Sequence, residues 1–197
     1  MKKQNLRFTV VSAIMGAIGA VLMFIEFPLP IIPSFIKFDF SELPVLLTSF
    51  ACGPWYGVLV ALLKNLLHLL AGSSMGVGEL SNFLLGTVLA VVSGYVYQFK
   101  KTRKGALVAS IAGSLAMAVI SIVTNYFVVY PLYGKVFGMT TDMIVSAYMA
   151  ILPSADSLIK DLLIFNLPFT FVKGMLDAGI TFMIYKHLSP ILKGNRR

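Results

Sequence analysis

Lys64 and His68 stand four residues apart within the apolar run from Trp55 to Ala71, so a helix there carries both on one face, with Asn65 beside them. Polar groups inside a membrane are costly, and each is a candidate for binding or proton transfer unless a neighbour satisfies it. This trio could bind an anion or join a proton relay, but buried helix-to-helix hydrogen bonds suit it best. Glu79 and Asn82 open the next apolar run three residues apart, again on one face, and Glu79 in a first turn also complements the helix dipole. Asn125 falls late in another run, near Tyr126, Tyr130 and Tyr133. Thr170 and Lys173 fall early in the last one, and Asp177 lies four residues beyond Lys173 as an intrahelical partner. Lys37, Asp39, Ser41 and Glu42 follow Pro28, Pro30 and Pro33. They read either as an interface rim or as one side of a pocket under a rigid segment, with Phe35 and Phe38 adding apolar contact. One of them can cap the helix that follows.

Glu79, Asn82, Asn125, Thr170 and Lys173 fall at one membrane depth on the topology argued below. Two amides, a hydroxyl, a lysine and several aromatics suit a flat, polar-edged heterocycle better than an ion, since small-molecule pockets are mostly apolar with a few placed polar groups. Other chemistry is missing. There is no Gly-Lys-Ser/Thr phosphate loop, His-Glu-x-x-His, Gly-x-Ser-x-Gly or catalytic carboxylate pair, so no catalysis or direct use of ATP is expected. No metal site is expected, because the second histidine, His187, lies far from His68 at the other end of the bundle. The single cysteine, Cys52, excludes an internal disulfide.

The elements that position these groups must be membrane helices. The 197 residues are 58% hydrophobic and 12% charged, with mean hydropathy +0.88. Soluble domains are roughly 45–50% apolar and about 25% charged, and a domain of this size could not hide the excess from water. Basic Met1–Arg7 precedes an apolar run that exceeds signal-peptide length and lacks an evident cleavage site. Apolar runs near 8–26, 38–52, 55–71, 79–99, 105–130 and 167–188 predict six transmembrane helices in one integral membrane domain, 1–197. The second is short, and Gly53-Pro54 stops it. Pro168 is tolerable in a first helical turn. The mixed stretch Pro131–Phe165 predicts one or two short amphipathic helices.

Three clusters, Lys2, Lys3 and Arg7, then Lys100, Lys101, Arg103 and Lys104, then Lys186, Lys193, Arg196 and Arg197, hold eleven of the 16 Lys and Arg and no acid. Six spans with both termini cytoplasmic put all three inside. The net charge of +8 is therefore topological rather than a nucleic-acid face. The proline-rich segment and the Gly/Ser loop of Gly72 to Gly78 then face outward. In span one, Ala13 and Ala17, and Gly16 and Ala20, are small residues four apart, suited to packing in the bundle or to docking another membrane protein.

Phe27-Pro-Leu-Pro, Ile36-Lys-Phe-Asp-Phe-Ser-Glu-Leu-Pro44, Gly53-Pro-Trp-Tyr-Gly57, Lys64-Asn-Leu-Leu-His68 and Gly78-Glu-Leu-Ser-Asn-Phe83 occur in this order. Asn125-Tyr, Tyr130-Pro-Leu-Tyr133 and Pro168-Phe-Thr-Phe-Val-Lys-Gly174 follow. The ordered set, spanning nearly the whole chain, resembles the substrate-binding S components of energy-coupling factor (ECF) vitamin transporters, most closely the riboflavin-specific branch. The resemblance implies a multi-pass cell-membrane protein of six helices with an outer pocket closed by the loop between spans one and two. It implies docking of span one, through Ala13, Gly16, Ala17 and Ala20, on a transmembrane coupling subunit driven by two cytoplasmic ATPases. Riboflavin is then a transported ligand rather than a cofactor, its ring held against apolar and aromatic side chains. Asn125 matches the family's span-five asparagine and Lys173 the lysine of its span-six Asn-x-x-Lys, with Thr170 standing where that asparagine is expected. Asn166, one turn earlier, could compensate. Phe35, Lys37 and Asp39 become loop contacts, with Glu79 and Asn82 completing the pocket. Another vitamin or FMN on the same scaffold, or a proton-coupled carrier using Lys64, His68 and Glu79, are the alternatives.

Overall fold

Apolar sequence without a breaker folds as one helix, α1 (Lys2–Phe24), and the three prolines that follow prevent its continuation. A computed structural model describes residues 2–193, with side chains described for 4–185. Lys2, Lys3, Lys186, Lys193, Arg196 and Arg197 therefore fall outside the described side chains, and the orientation expectation rests partly on them. The middle cluster, Lys100, Lys101, Arg103 and Lys104, is exposed.

Residues 25–41 form a small hairpin in which β1 (Phe27–Pro28) pairs antiparallel with β2 (Lys37–Phe38), Phe27 opposite Phe38. The second helix starts later than the expected residue 38. Asp39 Oδ1 accepts the Ser41 N–H at 2.7 Å, and α2 (Glu42–Cys52) begins beyond this turn. Gly53, at φ +117°, joins α2 to α3 (Pro54–Leu69), a backbone angle that a side chain disfavours, and Pro54 sits in the first turn of α3. Then follow α4 (Val77–Phe99) and α5 (Arg103–Thr124), the latter capped by Thr102 Oγ1, which accepts the Gly105 N–H at 3.1 Å.

The last two long helices run further than the prolines suggest. A π-helical turn, Asn125–Val129, carries α5 straight into α6 (Tyr130–Phe137) past Pro131. A second, Leu162–Asn166, joins α8 (Leu158–Asp161) to α9 (Leu167–Lys193), so Pro168 lies near the start of α9 but inside a continuous rod. Of the stretch 131–165, only α7 (Thr141–Met149) is a separate helix. Among the described residues, Gln4–Phe24, Val77–Phe99, Arg103–Phe137 and Leu158–Tyr185 are long and apolar enough to cross a membrane.

α2 is buried along most of its length and packs against α1, α3, α4 and α9. α5 turns Ala109, Ser110, Gly113, Ser114 and Ala118 inward, small residues that let α4 and α9 approach closely. The small residues of α1 divide between two faces, which corrects the single docking stripe. Gly16 and Ala20 are buried, and a Cβ on Gly16 would lie 2.7 Å from Leu63 Cβ of α3. Ala13 and Ala17 are exposed on the opposite face.

Candidate ligand-binding site

Charges buried among these helices find partners on other elements. Lys64 Nζ, fully buried on α3, donates to Glu42 Oε1 at 2.7 Å and Ser41 Oγ at 2.6 Å at the start of α2. His68 Nδ1 lies 2.7 Å from Glu79 Oε1 in the first turn of α4, with the Phe24 ring 4.5 Å from the imidazole and Ser74 also bonded to Glu79. Lys64 and His68 thus link α3 to its neighbours, as their spacing suggested. Lys173 Nζ donates to Asp39 Oδ2 at 2.7 Å, tying α9 to the turn before α2. This displaces the expected Lys173–Asp177 pairing, and both buried carboxylate oxygens of Asp177 lack a hydrogen bond. Lys37 pairs with Glu26, linking the chain ahead of β1 to β2.

Two cavities meet beneath the hairpin. The first is lined by Phe35, Lys37, Asn82, Asn125, Thr170 and Lys173, and also by Leu85, Met117, Tyr130, Tyr133, Asn166 and Phe169. The second shares Phe35, Lys37 and Asn82 with it and adds Asp39, Glu79 and His68. The structure therefore brings all eight residues singled out for a ligand to one of two adjoining spaces. Asn82, Asn125 and Thr170 make no side-chain hydrogen bond to protein among the described residues.

Asn166 is occupied. Its Nδ2 donates to the Tyr130 hydroxyl at 3.0 Å, and its Oδ1 accepts from the Tyr148 hydroxyl at 2.6 Å. The two hydroxyls are 2.6 Å apart, so Tyr130 donates to Tyr148 and the three groups close a ring. Burial pushes the Tyr148 phenol up, which keeps it a neutral donor. Asn166 is thus held by tyrosines instead of standing free in place of the asparagine that Thr170 lacks. Phe35 packs on this group, with ring centroids 6.4 Å from Tyr130, 6.0 Å from Tyr148 and 5.8 Å from Tyr133.

Leu85, Met117 and Phe169 were not singled out from the sequence, because apolar residues abound in every span. The signal that finds two of them is helical spacing: Leu85 lies three residues after Asn82, and Phe169 four before Lys173. Tyr148 carries no such signal, since it sits on a separate helix. The arrangement is a cavity in which apolar and aromatic walls alternate with polar side chains, several of them unsatisfied by protein among the described residues, a binding site in character.

Residues 7–185 match the family described as ECF transporter, substrate-specific component. The chain belongs to this family. Like the rest of the family it is a transporter component, not an enzyme. The chain is 33% identical over 191 residues to the riboflavin transporter RibU of Staphylococcus aureus (strain TCH60), covering 97% of this S component and 94% of the relative. It is 29% identical over 191 residues to the riboflavin transporter FmnP of Bacillus subtilis (strain 168), covering 95% and 94%. A solved bacterial ECF S component superposes with a TM-score of 0.75 at 31% identity, over 96% of this chain and 99% of its own.

Proposed function

We propose that this S component binds riboflavin in the joined cavities and passes it to an ECF module of one transmembrane coupling subunit and two cytoplasmic ATPases. The observation that carries the reading is the cavity with aromatic and apolar walls edged by Asn82, Asn125 and Thr170, whose side chains have no protein partner among the described residues. The names of the S. aureus and B. subtilis relatives point to the same vitamin. Leu85, Met117 and Phe169 would hold the faces of the ring system, and Asn125 would meet its polar edge. Lys173 gives one of its three ammonium donors to Asp39 and has others for a ring carbonyl. Thr170 supplies a hydroxyl in place of a second amide. The sugar-alcohol chain would extend toward Glu79, Asn82 and His68.

The second cavity favours the neutral vitamin over FMN. Among the described residues its lysine, Lys37, already faces Glu26, while Glu79 is held by His68 and Ser74 and Asp39 by Lys173, so no unpaired cation stands ready for a phosphate. The hairpin of residues 25–41 acts as a lid, with Phe35 as its plug. α2 and α3 complete a six-crossing bundle, a single domain in the cell membrane with both termini cytoplasmic. The exposed face of α1 around Ala13 and Ala17 docks on the coupling subunit.

Uptake of labelled riboflavin by cells expressing the chain with or without an ECF module tests the assignment. Uptake should require the module. Uptake by the chain alone, abolished by collapsing the proton gradient and by His68→Ala, would overturn it in favour of a carrier using Lys64, His68 and Glu79.

A further inference from the structure

Pro131 and Pro168 both stand inside continuous helices, and the same departure from α-helical bonding precedes each. The residue before each proline gives its backbone N–H to a carbonyl five residues back, Tyr130 to Asn125 and Leu167 to Leu162. In an α-helix a proline ring collides with the carbonyl four residues back. Those carbonyls belong to Phe127 and Ile164, and both lie within the widened turns. Both prolines are exposed on the outside of the bundle, so neither touches the cavity itself.

The widened turns carry Asn125 and Asn166, both buried and both lining the cavity. On an unbroken α-helix, residues five apart such as Asn125 and Tyr130 point about 140° away from each other. A π-helical turn closes that angle, and here both residues line one cavity. The two turns are also tied together. Tyr130 makes the first i→i−5 bond through its N–H, and its hydroxyl accepts from Asn166 of the second turn at 3.0 Å. Tyr148 closes the ring from α7.

We infer that Pro131 and Pro168 are positioning residues. Each enforces a π-helical turn, and the two turns, braced through Tyr130 and Asn166, hold the Asn125 amide, unpartnered among the described residues, and the Tyr130 ring on the same face of the cavity. The inference rests on the ligand-binding reading of that cavity.

The test is Pro131→Ala in the full-length purified protein, read by riboflavin fluorescence quenching, by thermal midpoint and by a structure. Riboflavin affinity should fall about tenfold or more, as for a ligand that loses a placed hydrogen bond. The midpoint should hold or rise, because alanine favours a helix interior over proline. A proline with only a structural role would lower the midpoint instead, and that result, or unchanged affinity, overturns the inference. Tyr130→Phe, which removes the brace but keeps the ring, should also weaken binding. If the unaltered protein binds no riboflavin, the ligand assignment fails, but the positioning claim is still decided by the Pro131→Ala structure. There Tyr130 N–H should move to the Tyr126 carbonyl, and retention of the bond to Asn125 would overturn the inference.

Discussion

Lys64, His68 and Lys173 each meet a carboxylate from another element, whereas Asn82, Asn125 and Thr170 meet no protein partner among the described residues, although both sets lie within one bundle. The difference separates groups that first hold the bundle together, Lys173 and His68 among them although they also line the cavities, from groups left for a ligand alone. A buried ammonium or ring N–H without a partner is costly, so the lysines and histidine act as struts between α2, α3, α4 and α9. A neutral amide costs less to leave unsatisfied, and a cavity edged by such groups gains when a ligand with matching donors and acceptors fills it.

The two sets should therefore fail differently. Lys64→Ala strands Glu42 as an unpaired charge and should cost about 3–5 kcal/mol, seen as a large drop in the unfolding midpoint in detergent. Asn125→Ala should leave that midpoint unchanged and weaken riboflavin binding by about 1–3 kcal/mol, on the order of ten- to a hundredfold. If it instead lowers the midpoint as Lys64→Ala does, the two sets are not distinct. The smallest effect belongs to Glu26→Gln, which breaks a partly exposed pair worth about 0–1 kcal/mol. It should speed riboflavin release a few-fold in stopped-flow dissociation, and an unchanged rate would show that the Glu26–Lys37 contact does not hold the lid closed.

Local signals in the sequence were readable because their physics is local. Gly53-Pro54 ends one helix and starts the next, and the four-residue spacing of Lys64 and His68 marks a face turned toward other helices. The site residues stood out as polar groups in apolar runs. What escaped depends on distant partners. Lys173 was paired with nearby Asp177, but Asp39, 134 residues away, takes the bond. Asn166 lies one turn before Thr170, where it could compensate for the missing amide, but tyrosines 18 and 36 residues distant engage it. Pro131 marks a helix end by its sequence, because nothing in its neighbours announces the widened turn that carries the helix past it. Small residues four apart on α1 showed that close packing occurs but not on which side, and the structure divides them, Gly16 and Ala20 inward, Ala13 and Ala17 outward.

The most direct test of the central claim is the absorption spectrum of the detergent-purified protein, expressed with riboflavin available and then washed extensively. A flavin band near one equivalent per chain that survives the wash is the predicted result. A colourless protein that also fails to quench added riboflavin fluorescence would contradict the assignment.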